Sequence, residues 1–504
     1  MFNKVFAPTL LGMEAKVIEV EVDIARGERK ISIIGLPDKA IQEAKDRILS
    51  AFRNSNIELG PGHKIINLAP ADIPKTGPAY DLPMAVGLLI ASGRIKKDPG
   101  TSSLFTGELS LDGSVKPIKG LLATLDSIKK LGFKTIYIPE ANIKEAQLID
   151  KIETIPVKNL NQLVKHFEID PISPVRYSPA LVVSRKKLKY DMIHVKGQKM
   201  VKRALTIAAA GGHNILLSGV PGSGKTYLSK MLPTIMPALT LQESIEITKI
   251  HSIAGILNDS SPLITERPFR SPHHTCSQVS LVGGGSFPRP GEISLAHNGI
   301  LFLDELTEFN LKTLEVLRQP LEDKVINISR ANGSCTFPAN FQLVAAMNPC
   351  KCGFLGDPDK DCICSPSERI KYKKKISGPI LDRIDMHVWV PKVKNSELLT
   401  ETGGSSSQEI QQIVSKARAI QLDRFKNARY PIYSNANMGQ EEIKKYIHLE
   451  SNSTSLLKQA IEKFNLSARS YYRVLKVART IADIESSDHL EQKHIAEALS
   501  FRFS

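Results

Sequence analysis

The chain is expected to fold as α/β, with a phosphate-loop core set between an α+β N-terminal domain and a run of C-terminal helices. Three observations lead there. The segment "NILLSGVPGSGKTYLSKML" (Asn214–Leu232) is an apolar run, a Gly-rich loop and a helical stretch, in that order. At 504 residues the chain exceeds the roughly 250–300 that one hydrophobic core supports. The patterning also breaks twice, at the Pro-rich 171–190 and at the Gly/Ser-rich "TETGGSSSQE" (Thr400–Glu409).

Composition narrows the class. Hydrophobic content of 42% with 24% charged residues is ordinary for a soluble globular protein. The longest apolar stretch, Leu82–Gly93, is too short to span a bilayer. The first residues, "MFNKVFAPTLLGMEAKV", have no sustained apolar core of the kind a secretion signal needs. A cytoplasmic protein without membrane attachment is therefore expected, with its thiols reduced. The net charge of +15 and pI near 9.3 suit a surface for nucleic acid or another polyanion, and equally suit solvated basic faces.

Residues 1–170 alternate between strand and helix patterns. "AKVIEVEVDI" (Ala15–Ile24) has the period of two of a half-buried strand. "DKAIQEAKDRILSAF" places Ile41, Ala44, Ile48 and Ala51 on one helical face. "KIINLAP" and "KTIYIPE" are short apolar runs closed by Pro, as buried strands are. Residues 171–190 then form a linker stiffened by Pro171, Pro174 and Pro179 and ending in a basic run. The phosphate-loop core spans 191–398, and helices fill 399–504, "SARSYYRVLKVARTIADI" among them.

The loop Gly219-Val220-Pro221-Gly222-Ser223-Gly224-Lys225-Thr226 fits G-x-x-x-x-G-K-[ST] in its strand–loop–helix context. Such a loop wraps phosphates with backbone N–H groups, and the following helix adds its positive end. Lys225 would reach the outer phosphates of ATP and Thr226 would ligate Mg²⁺. "GILFLDEL" (Gly299–Leu306) is a buried strand ending in two acids: Asp304 to hold Mg²⁺, Glu305 to polarise the attacking water. "NFQLVAAMNP" (Asn340–Pro349) carries Asn348 at its end, which alone reads as a turn former and in this order as a group that orients the attacking water or senses the γ-phosphate. Arg383, in "GPILDRIDMHVWVP", is either a partner of Asp382 or Asp385 or an arginine finger for a neighbouring subunit. Arg469 and Arg473 lie four residues apart on one helical face, and Arg469 is preferred as the one to contact phosphate.

"NPCKCGFLGDPDKDCIC" (Asn348–Cys364) holds four of the six cysteines. Cys350, Cys352, Cys362 and Cys364 offer two pairs of soft ligands, suited to a structural, tetrahedral Zn²⁺ that folds the turn-rich loop between them. Free or redox-active thiols are the alternative. "VINISRANGSCTFPANFQLV" (Val325–Val344) reads as a hairpin around Asn332-Gly333. Arg330 beside its turn and Lys324 at its base are candidate DNA contacts, against a plain surface hairpin. "RSPHHT" (Arg270–Thr275) suits a loop toward a pore better than a metal site, and "KYKKK" (Lys371–Lys375) is either solvated or part of a phosphate path.

The ordered set Lys225, Asp304–Glu305, Asn348, Arg383 and Arg469 resembles an AAA+ ATPase. More narrowly, "ERPFRSPHHTCSQVSLVGGG" and "PRPGEISLAHNGILFLDELTEF" look like the magnesium-chelatase-related branch, and nearly the whole chain resembles the ComM/YifB family. That resemblance implies a homo-hexameric ring with a helical lid, driving branch migration of single-stranded and duplex DNA as incoming DNA is integrated in natural transformation. "FTGELSLDGSVKPIKGLLATLDSIKKLGFKTIYIPEANIKEA" (Phe105–Ala146) resembles the proteolytic domain of Lon, and "PKTGPAYDLPMA" the stretch that carries Lon's serine. Ala79 stands at the serine position and Thr124 at the lysine, with Leu122 the other alignment, so the chemistry of a protease is missing. The domain is similar to the inactive Lon-like domain of the RadA recombination proteins, which suggests binding or ring assembly, with other recombination proteins as partners. A metal-insertion ATPase subunit and a protein-remodelling ATPase are the alternative readings.

Overall fold

The computed structural model describes residues 2–28, 30–178, 190–257, 262–285, 288–330, 333–393, 404–464 and 466–502. Two sheets organise it. The N-terminal one is mixed, in the spatial order Lys30–Ile34, His63–Ala69, Glu14–Ala25, Asn3–Leu11, Ser103–Phe105, Thr135–Pro139, Glu153–Val157. Its first two strands pair antiparallel, turning at Gly12, whose φ of +65° favours a residue without Cβ. The alternating pattern of the second strand sends Ile18, Val20 and Val22 into the core.

The helix Lys39–Asn54 is capped by Asp38, whose carboxylate accepts from Ile41 N at 2.9 Å, and it buries Ile41, Ala44, Ile48 and Ala51 as the periodicity predicts. The apolar stretch at 82–93 becomes the helix Asp81–Ala91, buried on almost every side. It is a core helix. No helix among the described residues is long and apolar enough to cross a membrane.

The second sheet is wholly parallel, in the order Phe269–Arg270, Ile300–Leu303, Gln342–Met347, Ile215–Ser218, Met386–Trp389. Its three inner strands are nearly continuous apolar runs, as buried parallel strands are. Between the phosphate loop and Asp304 the chain inserts the helix Leu241–Ala254, the edge strand and two short helices, which explains the long separation of the two motifs. The helices Ser407–Arg424, Ala468–Ile484 and Gln492–Ser500 share one apolar cluster with this sheet and the helix Lys199–Gly211, Val414, Val474 and Ala478 joining Ile207, Ala208 and Ile215.

Two sequence boundaries shift. The helix after the Gly/Ser break begins at Ser407 under a Ser406 cap, before Glu409; residues 394–403 lie outside the described set. The linker begins later than residue 171, because Val175 N donates to Thr154 O and Ser178 N to Gln147 O, tying these residues to the N-terminal domain. Its basic run, within 179–189, lies outside the described residues. The two units also touch directly. Ser252 Oγ donates to Glu145 at 2.7 Å and accepts from Gly120 N at 3.0 Å, and Lys249 pairs with Asp126 at 2.8 Å.

Candidate nucleotide site

The phosphate loop joins the end of Ile215–Ser218 to the helix Lys225–Ile235. Gly222 and Gly224 have φ of +78° and +89°, and a Cβ added at either would meet open space. That left-handed backbone is what turns N–H groups toward a bound anion. Lys225 Nζ donates to Gly219 O at 2.7 Å, Val220 O at 3.0 Å and Asn348 Oδ1 at 3.2 Å. Burial pushes its ammonium below the usual lysine range, against the pull of Asp304 and Glu305. Ser223 Oγ is buried without a hydrogen-bond partner. An orphaned hydroxyl, an open Gly-rich curve and a half-desolvated cation suit a triphosphate.

Parallel register brings the remaining groups to the same sheet end. Ile300–Leu303 and Gln342–Met347 are neighbours, and the latter pairs with Ile215–Ser218, so Asp304, Asn348 and the loop all follow adjacent strand ends. Thr226 Oγ1 donates to Asp304 Oδ2 at 2.7 Å, the hydroxyl–carboxylate pair that would hold Mg²⁺. Bound there, the ion would neutralise phosphate charge. Glu305 has φ of +51°, unusual for a residue with a side chain, and its exposed carboxylate lies 3.7 Å from His274 Nδ1.

Sequence reasoning missed His274. It read "RSPHHT" as a pore loop, whereas the edge strand Phe269–Arg270 runs parallel to Ile300–Leu303 and delivers the histidines beside Glu305. His273 and His274 have ring centroids 4.1 Å apart. Two histidines immediately after a strand adjacent to the acid-bearing one were the available signal.

The arginines occupy the opposite end of the sheet. Met386 pairs with Ile215 and Trp389 with Ser218, so Arg383 precedes the strand end farthest from the phosphates. Three residue steps at about 3.3 Å put roughly 10 Å of strand between the two ends. Arg383 is 6% exposed, donates to Pro379 O at 2.7 Å and pairs with Glu322 at 2.6 Å. Neither Asp382 nor Asp385 is its partner, contrary to the local reading of the sequence. Arg469 lies 3.8 Å from the same Glu322 and is 59% exposed. Asp385 is taken by Arg473, which also donates to Arg383 O at 2.8 Å. Burial raises the Asp385 carboxyl, but Arg473, His213 and the Asn214 N–H outweigh it and hold the group below the ordinary range. Arg383 and Arg469 thus converge on each other and not on Lys225.

The hairpin pairs Val325–Arg330 with Gly333–Pro338 as expected; Asn332 and the Arg330 side chain lie outside the described residues. Lys324 is half-buried at the hairpin's base, pushed low by burial, with Asp385 and Arg473 within electrostatic reach. The four sulfurs of Cys350, Cys352, Cys362 and Cys364 lie within 4.8 Å of one another, with separations of 3.4, 3.6 and 3.6 Å among three of them. Tetrahedral zinc with bonds of about 2.3 Å requires sulfurs about 3.8 Å apart, so the donor set fits. In the "KYKKK" helix, Tyr372 is buried on Thr307 Oγ1 while Lys371, Lys373 and Lys374 are exposed. In the N-terminal domain, Ala79 O accepts from Gly107 N, and Thr124 is buried with its hydroxyl on Gly120 O at 3.1 Å.

Comparison with known proteins agrees with this arrangement. Residues 191–398 match the family described as magnesium chelatase, subunit ChlI; residues 20–142 match subunit ChlI of Mg-chelatase, and 404–502 its C-terminal part. The chain is 38% identical to competence protein ComM of Haemophilus influenzae, over 99% of this chain and 97% of that one. It is 41% identical to the uncharacterized protein YifB of Escherichia coli, over 98% and 95%. Lon protease 2 of Bacillus subtilis is 30% identical over 31% of each chain. A phosphate loop, an acid-tipped parallel strand and a helical lid, preceded by a Lon-like domain, place this chain in the ComM/YifB family of magnesium-chelatase-like AAA+ ATPases.

Proposed function

We propose that the chain is an ATP-driven DNA motor that works as a homo-hexameric ring and promotes branch migration while incoming DNA is integrated. The observation that carries this reading is the separation of the two halves of the site. Lys225, Thr226, Asp304, Glu305 and Asn348 gather at one end of the sheet, and Arg383 and Arg469 at the other. An arginine that stabilises the transferring phosphoryl group must reach it, so these two serve a neighbouring copy's ATP. In that reading Glu305 orients the attacking water, Lys225 and the loop hold the phosphates, and Thr226 with Asp304 holds Mg²⁺. Zinc fills the four-cysteine site. Ala79 and Thr124 leave the Lon-like domain without nucleophile or base, so it docks and assembles and does not cleave.

DNA is favoured as the substrate by the similarity to competence protein ComM and by the hairpin that carries Arg330. Phosphate hydrolysis is measured with and without forked or four-way DNA, beside a sizing measurement in ATP and Mg²⁺. Stimulation by branched DNA, strand movement lost in Lys225→Ala, and a ring-sized species are expected. A purified ring that leaves three- and four-stranded DNA untouched with ATP present removes the motor assignment.

A further inference from the structure

The four-cysteine loop is packed onto the phosphate loop. Gly353, between the two cysteine pairs, is buried with φ of +86°, and a Cβ built on it would lie 2.8 Å from Pro221 Cγ and 2.9 Å from Pro221 Cδ. Gly356, φ +82°, brings its backbone to Trp389, with a Cβ there only 3.0 Å from Cζ2. Trp389 is the register partner of Ser218, the last residue before the phosphate loop. Asp359 pairs with Lys392, three residues beyond Trp389. At its start, Cys350 follows two residues after Asn348, which accepts from Lys225. The cysteine segment therefore grips the nucleotide site at Asn348, at Pro221 and at Trp389.

Little else holds that segment in shape. Residues 351–361 form no helix or strand, and their internal bonds are turns such as Gly353 N to Cys350 O at 3.1 Å and Asp357 N to Phe354 O at 3.1 Å. Its apolar side chains Phe354 and Leu355 are only half-buried. A loop without a core keeps its geometry only if something else cross-links it, and four thiolates around one metal ion do so.

We propose that metal binding at Cys350, Cys352, Cys362 and Cys364 sets the affinity of this chain for ATP, the zinc-filled loop acting as a wall that holds Pro221 and the phosphate loop in their binding shape. This rests on the reading of the cluster as a zinc site and goes beyond it, since a zinc loop at a distance would be indifferent to nucleotide. With zinc bound, the loop backbone fixes Pro221 and the Trp389 strand end, so the N–H groups of the phosphate loop are ordered before ATP arrives. Without zinc, Pro221 loses its wall and that ordering falls to the nucleotide.

The full-length protein is assayed for zinc per chain and for ATP affinity by titration calorimetry, zinc-loaded, chelator-stripped and re-loaded. About one zinc per chain is expected, and stripping raises the Kd for ATP about tenfold, reversed by added zinc. Gly353→Ala, which sets a Cβ against Pro221 and removes none of the four thiols, is expected to keep its zinc and still weaken ATP binding several-fold. A zinc-free protein, or a folded Cys362→Ser variant without metal, that binds ATP as tightly as wild type overturns the proposal and leaves the zinc site standing. Should stripped protein unfold, unchanged ATP affinity in zinc-loaded Gly353→Ala overturns it equally. Absence of any bound metal from protein purified without chelator removes the zinc reading itself.

Discussion

The same parallel sheet carries opposite chemistry at its two ends. Where the strands finish, Lys225 donates to two carbonyls and an amide, and Thr226 to Asp304. Those are bonds that phosphate and metal ion can take over. Where the strands begin, Arg473 is locked to Asp385 and Arg383 to Glu322. Those are pairs of opposite charge: losing Arg473 strands the buried Asp385 in a desolvated place, whereas Glu322 is half exposed and water can replace Arg383 there. One end is built to exchange partners, and at the other the Asp385 pair is built to stay. Arg383 and the more exposed Arg469 share Glu322, a half-exposed partner that water can take over when they leave it.

The largest effect should come from the residue that ties the ends of two copies together. Arg383→Ala is expected to lower the kcat of ATP hydrolysis about 10³-fold while leaving ATP binding intact, because the group acts on a neighbour's phosphates. Lys225→Ala should also abolish hydrolysis, by damaging its own site. Mixing the two inactive variants should restore part of the activity, since some interfaces then pair an intact loop with an intact arginine. If mixing restores nothing and Arg383→Ala unfolds at lower denaturant than wild type, the Glu322 pair is structural and the division of the site fails.

The second effect is on stability. Arg473→Ala leaves Asp385 buried without its main partner and should cost about 3–5 kcal/mol, read from denaturant unfolding. A loss under about 1 kcal/mol would show that His213 and the Asn214 N–H suffice. A third, smaller effect is a pH dependence. His387 is held to about 4, first by burial and then by Arg502. Its folded value lies below the ordinary 6.5, so the unfolded chain binds the proton first as pH falls. The stability it contributes is complete above pH 6.5 and lost as pH drops through about 4. About 3 kcal/mol is at stake, and His387→Asn should flatten that part of the stability profile.

The two ends also differ in how far the sequence reveals them. The phosphate loop, the "LFLDEL" strand and the strand before Asn348 are each written in a few consecutive residues, because a strand end, a turn and a helix start are local events. Their convergence follows from the parallel arrangement alone. Glu322 has no such signature. It comes from the helix Arg318–Asp323, and its contact with Arg383 depends on how that helix packs against residues some sixty positions on, which no local pattern records. The surroundings of Lys324 were hidden for the same reason: hairpin geometry predicts the turn and not what packs around the base. The cysteine cluster was visible in spacing. Its contact with Pro221 was hidden, because glycines at 353 and 356 read as turn residues and their close approach to other segments exists only in three dimensions.

The smallest effect tests the contact that sequence reading missed altogether. Glu305 takes a left-handed backbone at a strand end and extends an exposed carboxylate toward His274. The histidine's contact is with that acid, 3.7 Å away. Its influence should be on where that acid points. His274→Asn is therefore expected to leave the KM for ATP unchanged and to lower kcat about tenfold, near 1.4 kcal/mol of barrier. That split separates a positioning residue from a binding one, which would move KM, and from a structural one, which would lower the unfolding midpoint. Glu305→Gln should remove most hydrolysis by itself, and adding His274→Asn to it should cost nothing further. A full additional loss in the double variant would mean that His274 acts on the site by some route other than Glu305, and the coupling between edge strand and acid would have to be given up.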